Sequence, residues 1–120
     1  MVNILVTDDS AFQRNIIISI LKEKGYGFIE ASNGADAIEA ALKEKPDLIL
    51  LDLYMPDSGG FDFLEEAGRL KLEIPVIMLT SDIQETTKAK CLELGARGFL
   101  TKPVVKEELT LAISEMLDER

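Results

Sequence analysis

Histidine is absent from this chain. Without it there is no Ser-His-Asp triad, no histidine-ligated zinc and no phosphohistidine on the chain itself. Cysteine is nearly absent as well. Cys91 stands alone, so it cannot close an internal disulfide, and it points to a reducing compartment. Basic residues are outnumbered, with 13 Lys and Arg against 22 Asp and Glu and a net charge of −9. Such a surface repels phosphate backbones, so no nucleic acid is expected as a direct partner. No apolar run approaches the roughly 18 residues of a membrane helix. Met1-Val2-Asn3-Ile4 enters a strand with no basic segment before it, so no signal peptide is expected either. Together these absences predict a cytoplasmic protein with no membrane association. Its chemistry is left to carboxylates, hydroxyls and lysine.

What is present is a dense apolar pattern, 47% of 120 residues, enough for the core of one domain over residues 1–120. Leu48-Ile49-Leu50-Leu51-Asp52-Leu53, entered after Pro46 and left through Pro56, reads as a strand buried on both faces. Shorter strand-like runs lie at Ile4–Thr7, Phe28–Ala31, Val76–Leu79 and Gly98–Thr101. Between them the apolar spacing is helical. A helix over about Ala11–Lys24 carries Ile16, Ile17, Ile20 and Leu21 on its inner face, and Gly25 stops it. The next helix, capped by Ser32-Asn33-Gly34, presents Ala35, Ile38, Ala41 and Leu42; the third presents Phe61, Leu64 and Ala67. Asp82 and Glu85 have capping-box spacing for a fourth helix running to Gly95, with Cys91 as a small core residue. A fifth spans about Lys106–Asp118. Strand and helix in alternation predict an α/β fold: a doubly wound, five-stranded parallel sheet in the order 2-1-3-4-5 with five helices, flavodoxin-like, binding ligands at the carboxyl ends of its strands.

The unusual polar residues all fall at those strand ends: Asp8 and Asp9, Asp52, Thr80 and Lys102. In that order the first and third strands are neighbours about 4.8 Å apart, which brings three carboxylates into one crevice. Two like charges about 4 Å apart repel by roughly 4 kcal/mol at an effective dielectric of 20. Three of them call for a cation or a raised pKa. A hard divalent ion with oxygen ligands, magnesium with manganese able to substitute, is the economical answer. The bland alternative makes Asp8 and Asp9 an N-cap and its solvated neighbour. Lys102 starts two strands from Asp52, roughly 10 Å away, a gap that a long cationic side chain spans. Thr80 adds one hydroxyl. A carboxylate so surrounded can attack phosphorus and carry an aspartyl-phosphate.

The set Asp8-Asp9, Asp52-x-x-Met55-Pro56, Thr80-Ser81 and Lys102-Pro103 resembles the receiver domain of two-component response regulators over essentially the whole chain. The resemblance implies that Asp52 is the phosphoacceptor. It implies that Asp9 ligates magnesium directly, Asp8 through water and Tyr54 by its backbone carbonyl, and that Thr80 and Lys102 bind the phosphoryl group. It further implies a cis Lys102–Pro103 bond and a switch in which Thr80 and Phe99 move together, reshaping the face formed by the fourth helix, fifth strand and fifth helix. Phe99 read without the resemblance is an ordinary core residue. The implied partners are a histidine kinase or histidine phosphotransfer protein and an unknown output protein. The implied role is that of a stand-alone receiver, not a turnover enzyme. The resemblance places kinase docking on the first helix, where Phe12 and Ile18 fall off the apolar face.

Several positions depart from the family's habit. Phe99 lacks the hydroxyl of the commoner tyrosine, Gly59 stands where an acid is frequent, and Val104 and Val105 replace an aromatic and a good N-cap. Tyr54, two residues past Asp52, is bulky enough to shield an acyl phosphate, which predicts slow self-dephosphorylation; otherwise it is an exposed loop aromatic. Among rival readings, a haloacid-dehalogenase-type phosphatase needs an Asp where Tyr54 stands. A flavodoxin-like cofactor site needs a first loop rich in Ser, Thr and Gly, where Asp8-Asp9 would repel phosphate. A receiver regulated by protein contacts alone keeps the fold without the chemistry.

Overall fold

A computed structural model describes residues 1–118; the last two positions of the predicted domain lie outside the described residues. The elements run β1 (Asn3–Thr7), α1 (Ala11–Glu23), β2 (Gly27–Ala31), α2 (Gly34–Glu44), β3 (Leu48–Asp52), α3 (Gly60–Arg69), β4 (Val76–Thr80), α4 (Glu85–Glu93), β5 (Gly98–Thr101) and α5 (Lys106–Asp118). All four strand pairings are parallel, in the order β2-β1-β3-β4-β5. This is the predicted doubly wound α/β fold.

Every residue of β3 and β4 is buried, because helices cover both faces of a parallel sheet. Successive side chains therefore feed two separate cores. Ile4, Val6, Leu48, Leu50, Ile77 and Leu79 meet α1 and α5. Leu5, Ile49, Leu51, Val76 and Met78 meet α2, α3 and Cys91 of α4. At roughly 2 kcal/mol for each large aliphatic side chain fully removed from water, this burial is the main force holding the strand ends in register.

Helix faces are where the sequence reading needed correction. Ile18 is buried, only 6% exposed, because α1 packs on α5 as well as on the sheet and so needs a wider apolar sector. It is not available as a docking residue, whereas Phe12 is exposed. In α2 the inward line is Gly34, Ala37 and Ala41, while Leu42 is half exposed and Ala35 is exposed. Small residues let α2 sit close to β1, β2 and α3, so bulk was the wrong guide. In α3 the buried aromatic is Phe63, with Phe61 only partly covered. The predicted capping box of α4 does not form. Gln84 is the N-cap without a side-chain bond, and Asp82 makes a turn one step earlier by accepting the Gln84 N–H at 3.0 Å.

Candidate functional site

The register puts the polar residues at one edge. Thr7 pairs with Leu51, Asp52 with Leu79 and Thr80 with Thr101, so the chain leaves β1, β3, β4 and β5 at nearly the same level. Asp52, the last residue of β3, is 7% exposed, and Asp8, one residue beyond β1, is 2% exposed. Asp9 is exposed. Carboxylate oxygens of the three lie within 4.8 Å of one another.

Lys102 reaches this cluster from the end of β5. Its Nζ donates to Asp8 Oδ2 at 2.7 Å and lies 3.3 Å from Asp52 Oδ1. The tighter partner is thus Asp8, an arrangement that strand spacing alone does not reveal. The other Asp8 oxygen accepts the Ser10 N–H at 2.9 Å. Ser10 in turn caps α1, its hydroxyl accepting the Gln13 N–H. Burial pushes the Asp52 carboxyl above the usual carboxylate range; Lys102 opposes the shift while the charges of Asp8 and Asp9 add to it. Burial pulls the Lys102 ammonium down, but its hydrogen bond to Asp8 and the charge of Asp52 outweigh that and leave its pKa raised.

Thr80, 1% exposed, closes another side. Its Oγ1 accepts the Asp82 N–H at 3.2 Å, and its carbonyl accepts the Lys102 N–H at 2.8 Å. The Lys102–Pro103 bond is cis. Phe99 pairs with Met78 on β4, two positions before Thr80, and is partly buried with Lys88 Nζ 6.0 Å from its ring centre. Behind Asp52 the loop doubles back so that Gly60 N–H meets the Leu53 carbonyl at 2.8 Å. A Cβ on Gly60 would lie 2.8 Å from the Asp52 carbonyl, and one on Gly59 would lie 2.9 Å from that of Leu53. An acid at Gly59 would therefore need a different loop.

Two contacts of the site were missed by sequence reasoning. Tyr54, 58% exposed, donates its hydroxyl to Asp82 Oδ2 at 2.5 Å, and Thr87 of α4 donates to the same oxygen at 3.0 Å. That hydrogen bond raises the Tyr54 pKa and lowers that of Asp82. The second is Arg14, whose guanidinium donates to the Asp8 carbonyl at 2.6 Å and to Glu30 at 2.9 Å. The Tyr54–Asp82 pair shared only its two-residue offset from Asp52 and Thr80, and Arg14 carried no signal beyond being a cation on an amphipathic helix.

A match to the response regulator receiver domain family covers residues 4–114. Protein PilH of Pseudomonas aeruginosa is 37% identical over 119 residues, 98% of each chain. The protein-glutamate methylesterase/protein-glutamine glutaminase of Treponema pallidum is 41% identical over 112 residues; these make up 90% of this chain but only 28% of that protein. Among solved structures, the chemotaxis protein CheY4 of Vibrio cholerae superposes with a TM-score of 0.90 at 30% identity, covering 97% of this chain and 98% of the other.

Proposed function

The chain belongs to the response regulator receiver domain family, whose members signal when phosphorylated, and on that premise we propose that Asp52 is the phosphoacceptor. The observation that carries this reading is the meeting of three carboxylates within 4.8 Å beside a lysine ammonium 3.3 Å from Asp52. An Asp52 oxygen attacks phosphorus, the P–N bond of a phosphohistidine breaks, and its electron pair stays on the imidazole. With no histidine here, the donor is another molecule, a histidine kinase, a histidine phosphotransfer protein or a small phosphodonor.

The donor set is all hard oxygen and suits magnesium, with manganese as a substitute. Asp9 and Asp52, with the Tyr54 carbonyl, would hold the ion directly. Asp8, whose two oxygens already accept hydrogen bonds from Ser10 and Lys102, would hold it through water. The ion, when bound, supplies positive charge opposite the phosphoryl oxygens. Lys102 supplies a second charge. The Thr80 hydroxyl, used here only as an acceptor, keeps its proton to donate to the phosphoryl group. Thr80 and Phe99 then act as the switch, and α4, β5 and α5 form the face that a partner protein reads. Tyr54, two residues past Asp52 and tied through its hydroxyl to Asp82, slows hydrolysis of the acyl phosphate. It also lacks the carboxyl that a haloacid-dehalogenase-type phosphatase needs at that position, so turnover of a phosphomonoester by that route is not expected. Among the described residues no helix is long and apolar enough to cross a membrane, and a cytoplasmic site of action fits the free Cys91.

Intact-mass measurement with acetyl phosphate tests the reading. A phosphoryl adduct is expected on wild type with magnesium, and none without magnesium or on Asp52→Asn. Absence of any adduct on wild type, even with a cognate kinase present, would leave a receiver that works by protein contacts alone.

A further inference from the structure

Asp9 poses a problem of placement. Asp8 is pinned at four atoms: its N–H to the Ala31 carbonyl, Oδ1 to Ser10, Oδ2 to Lys102 and its carbonyl oxygen to Arg14. Asp9 is exposed, and its carboxylate makes no hydrogen bond or ion pair among the described residues. Nothing holds the Asp9 side chain from its outer end, so its direction depends on the peptide from which it springs. That peptide is the Asp8–Asp9 unit, whose carbonyl oxygen is the one Arg14 holds.

We propose that Arg14 is a positioning residue for cation binding: by clamping the Asp8 carbonyl it sets the plane of the Asp8–Asp9 peptide and aims the Asp9 carboxylate at the crevice it shares with Asp52. The inference rests on the metal-dependent reading given above. The geometry is that of a two-point clamp. Arg14 sits one turn into α1, where its own N–H bonds the Ser10 carbonyl at 3.0 Å. Its Nη1 donates to the Asp8 carbonyl oxygen at 2.6 Å while Nε donates to Glu30 Oε1 at 2.9 Å. Glu30 lies on β2 and thus fixes the guanidinium from a second element. The Arg14 side chain is 17% exposed and Glu30 43%, so the bond to the Asp8 carbonyl is the more shielded of the two; both are charge-assisted. A lysine ammonium is a point charge with no planar fork, and it would serve one of the two acceptors at the correct distance but not both.

A sign argument separates positioning from simple electrostatics. Arg14 is a cation bonded to the backbone of one member of the acidic cluster. Were it only a charge, removing it would make the crevice more negative and tighten divalent-ion binding. A clamp predicts the opposite, because a freed Asp8–Asp9 peptide must be ordered again each time the ion binds. Loss of a residue that orients a ligand-bearing group typically weakens metal affinity by about tenfold or more.

The test is a calorimetric magnesium titration of wild type, Arg14→Lys and Arg14→Met, without phosphodonor, alongside thermal melts. Both variants are expected to bind magnesium about tenfold more weakly, Arg14→Lys included although it keeps the charge. The Asp9 amide resonance, whose nitrogen shares the clamped peptide, is expected to move in metal-free Arg14→Lys; a packing role without the clamp would leave it in place. Arg14→Lys preserves charge and helix propensity, so it remains informative if Arg14→Met fails to fold. Unchanged or tighter binding by folded Arg14→Lys, with wild type binding normally, would overturn the role of Arg14 alone. Failure of wild type to bind magnesium would instead overturn the metal-dependent reading beneath it.

Discussion

Asp52 carries a raised pKa in the metal-free protein, and the consequence for stability has a definite sign. A carboxyl that titrates higher in the folded state than in the unfolded chain makes the fold hold its proton more tightly. Its stabilising contribution is therefore present at low pH and is lost as pH rises from the ordinary aspartate value, about 3.9, through the raised value of Asp52. At neutral pH without divalent ions, Asp52→Asn is expected to be more stable than wild type by on the order of 1 kcal/mol, because it removes one of three crowded charges. Urea melts in chelator across this pH range read both effects; a less stable Asp52→Asn at pH 7 would contradict the account. Lys102→Met points the other way. It leaves Asp8 and Asp52 buried without their cation, and a loss of about 3 kcal/mol is expected in the same melts.

Among the helices, α4 has the fewest buried residues. It has one buried side chain, Cys91, and an N-cap that makes no side-chain bond. Its remaining ties are peripheral: Lys90 lies 4.2 Å from the Phe61 ring centre, Lys88 lies 6.0 Å from that of Phe99, and Thr87 bonds Asp82. Asp82 also accepts the Tyr54 hydroxyl, and its N–H bonds Thr80. The first turn of α4 therefore hangs from the same residue that bonds the Thr80 hydroxyl. Asp82→Ala is expected to speed amide exchange over residues 85–90 roughly fivefold, about 1 kcal/mol of local opening, with α1 unchanged. Tyr54→Phe separates two ideas at this loop. The ring remains, so if the proposed shielding holds, dephosphorylation is expected to stay slow. Tyr54→Ala removes ring and bond together and is expected to speed it, as phosphate release would record.

For the whole molecule, the sheet is the device that collects distant residues. Positions 8, 52, 80 and 102 converge because parallel strands, each followed by a helix, all end at one edge. The stability of that edge comes from the cores below it. Ile77, fully buried in β4, contacts the α1–α5 core, and Ile77→Ala is expected to cost about 3 kcal/mol. Because the cores are shared by all strands, the loss should appear as one cooperative transition with an unchanged denaturant slope.

The sequence alone determined the alternation of elements, the strand order expected of it, and the gathering of Asp8, Asp9, Asp52, Thr80 and Lys102 at one edge. These were legible because strand burial and helix spacing are periodic along the chain, and polar residues break that pattern at recognisable places. Tertiary structure alone decided which faces of the helices turn inward. Ala37 rather than Ala35, Phe63 rather than Phe61 and the buried Ile18 follow from how closely neighbouring elements approach, a distance the one-dimensional pattern does not contain. It also decided the pairings: Lys102 with Asp8 more closely than with Asp52, Tyr54 with Asp82, and Arg14 with the Asp8 carbonyl. Hydrogen bonds depend on tenths of an ångström and on backbone atoms common to every residue, and only the assembled sheet sets where those atoms lie.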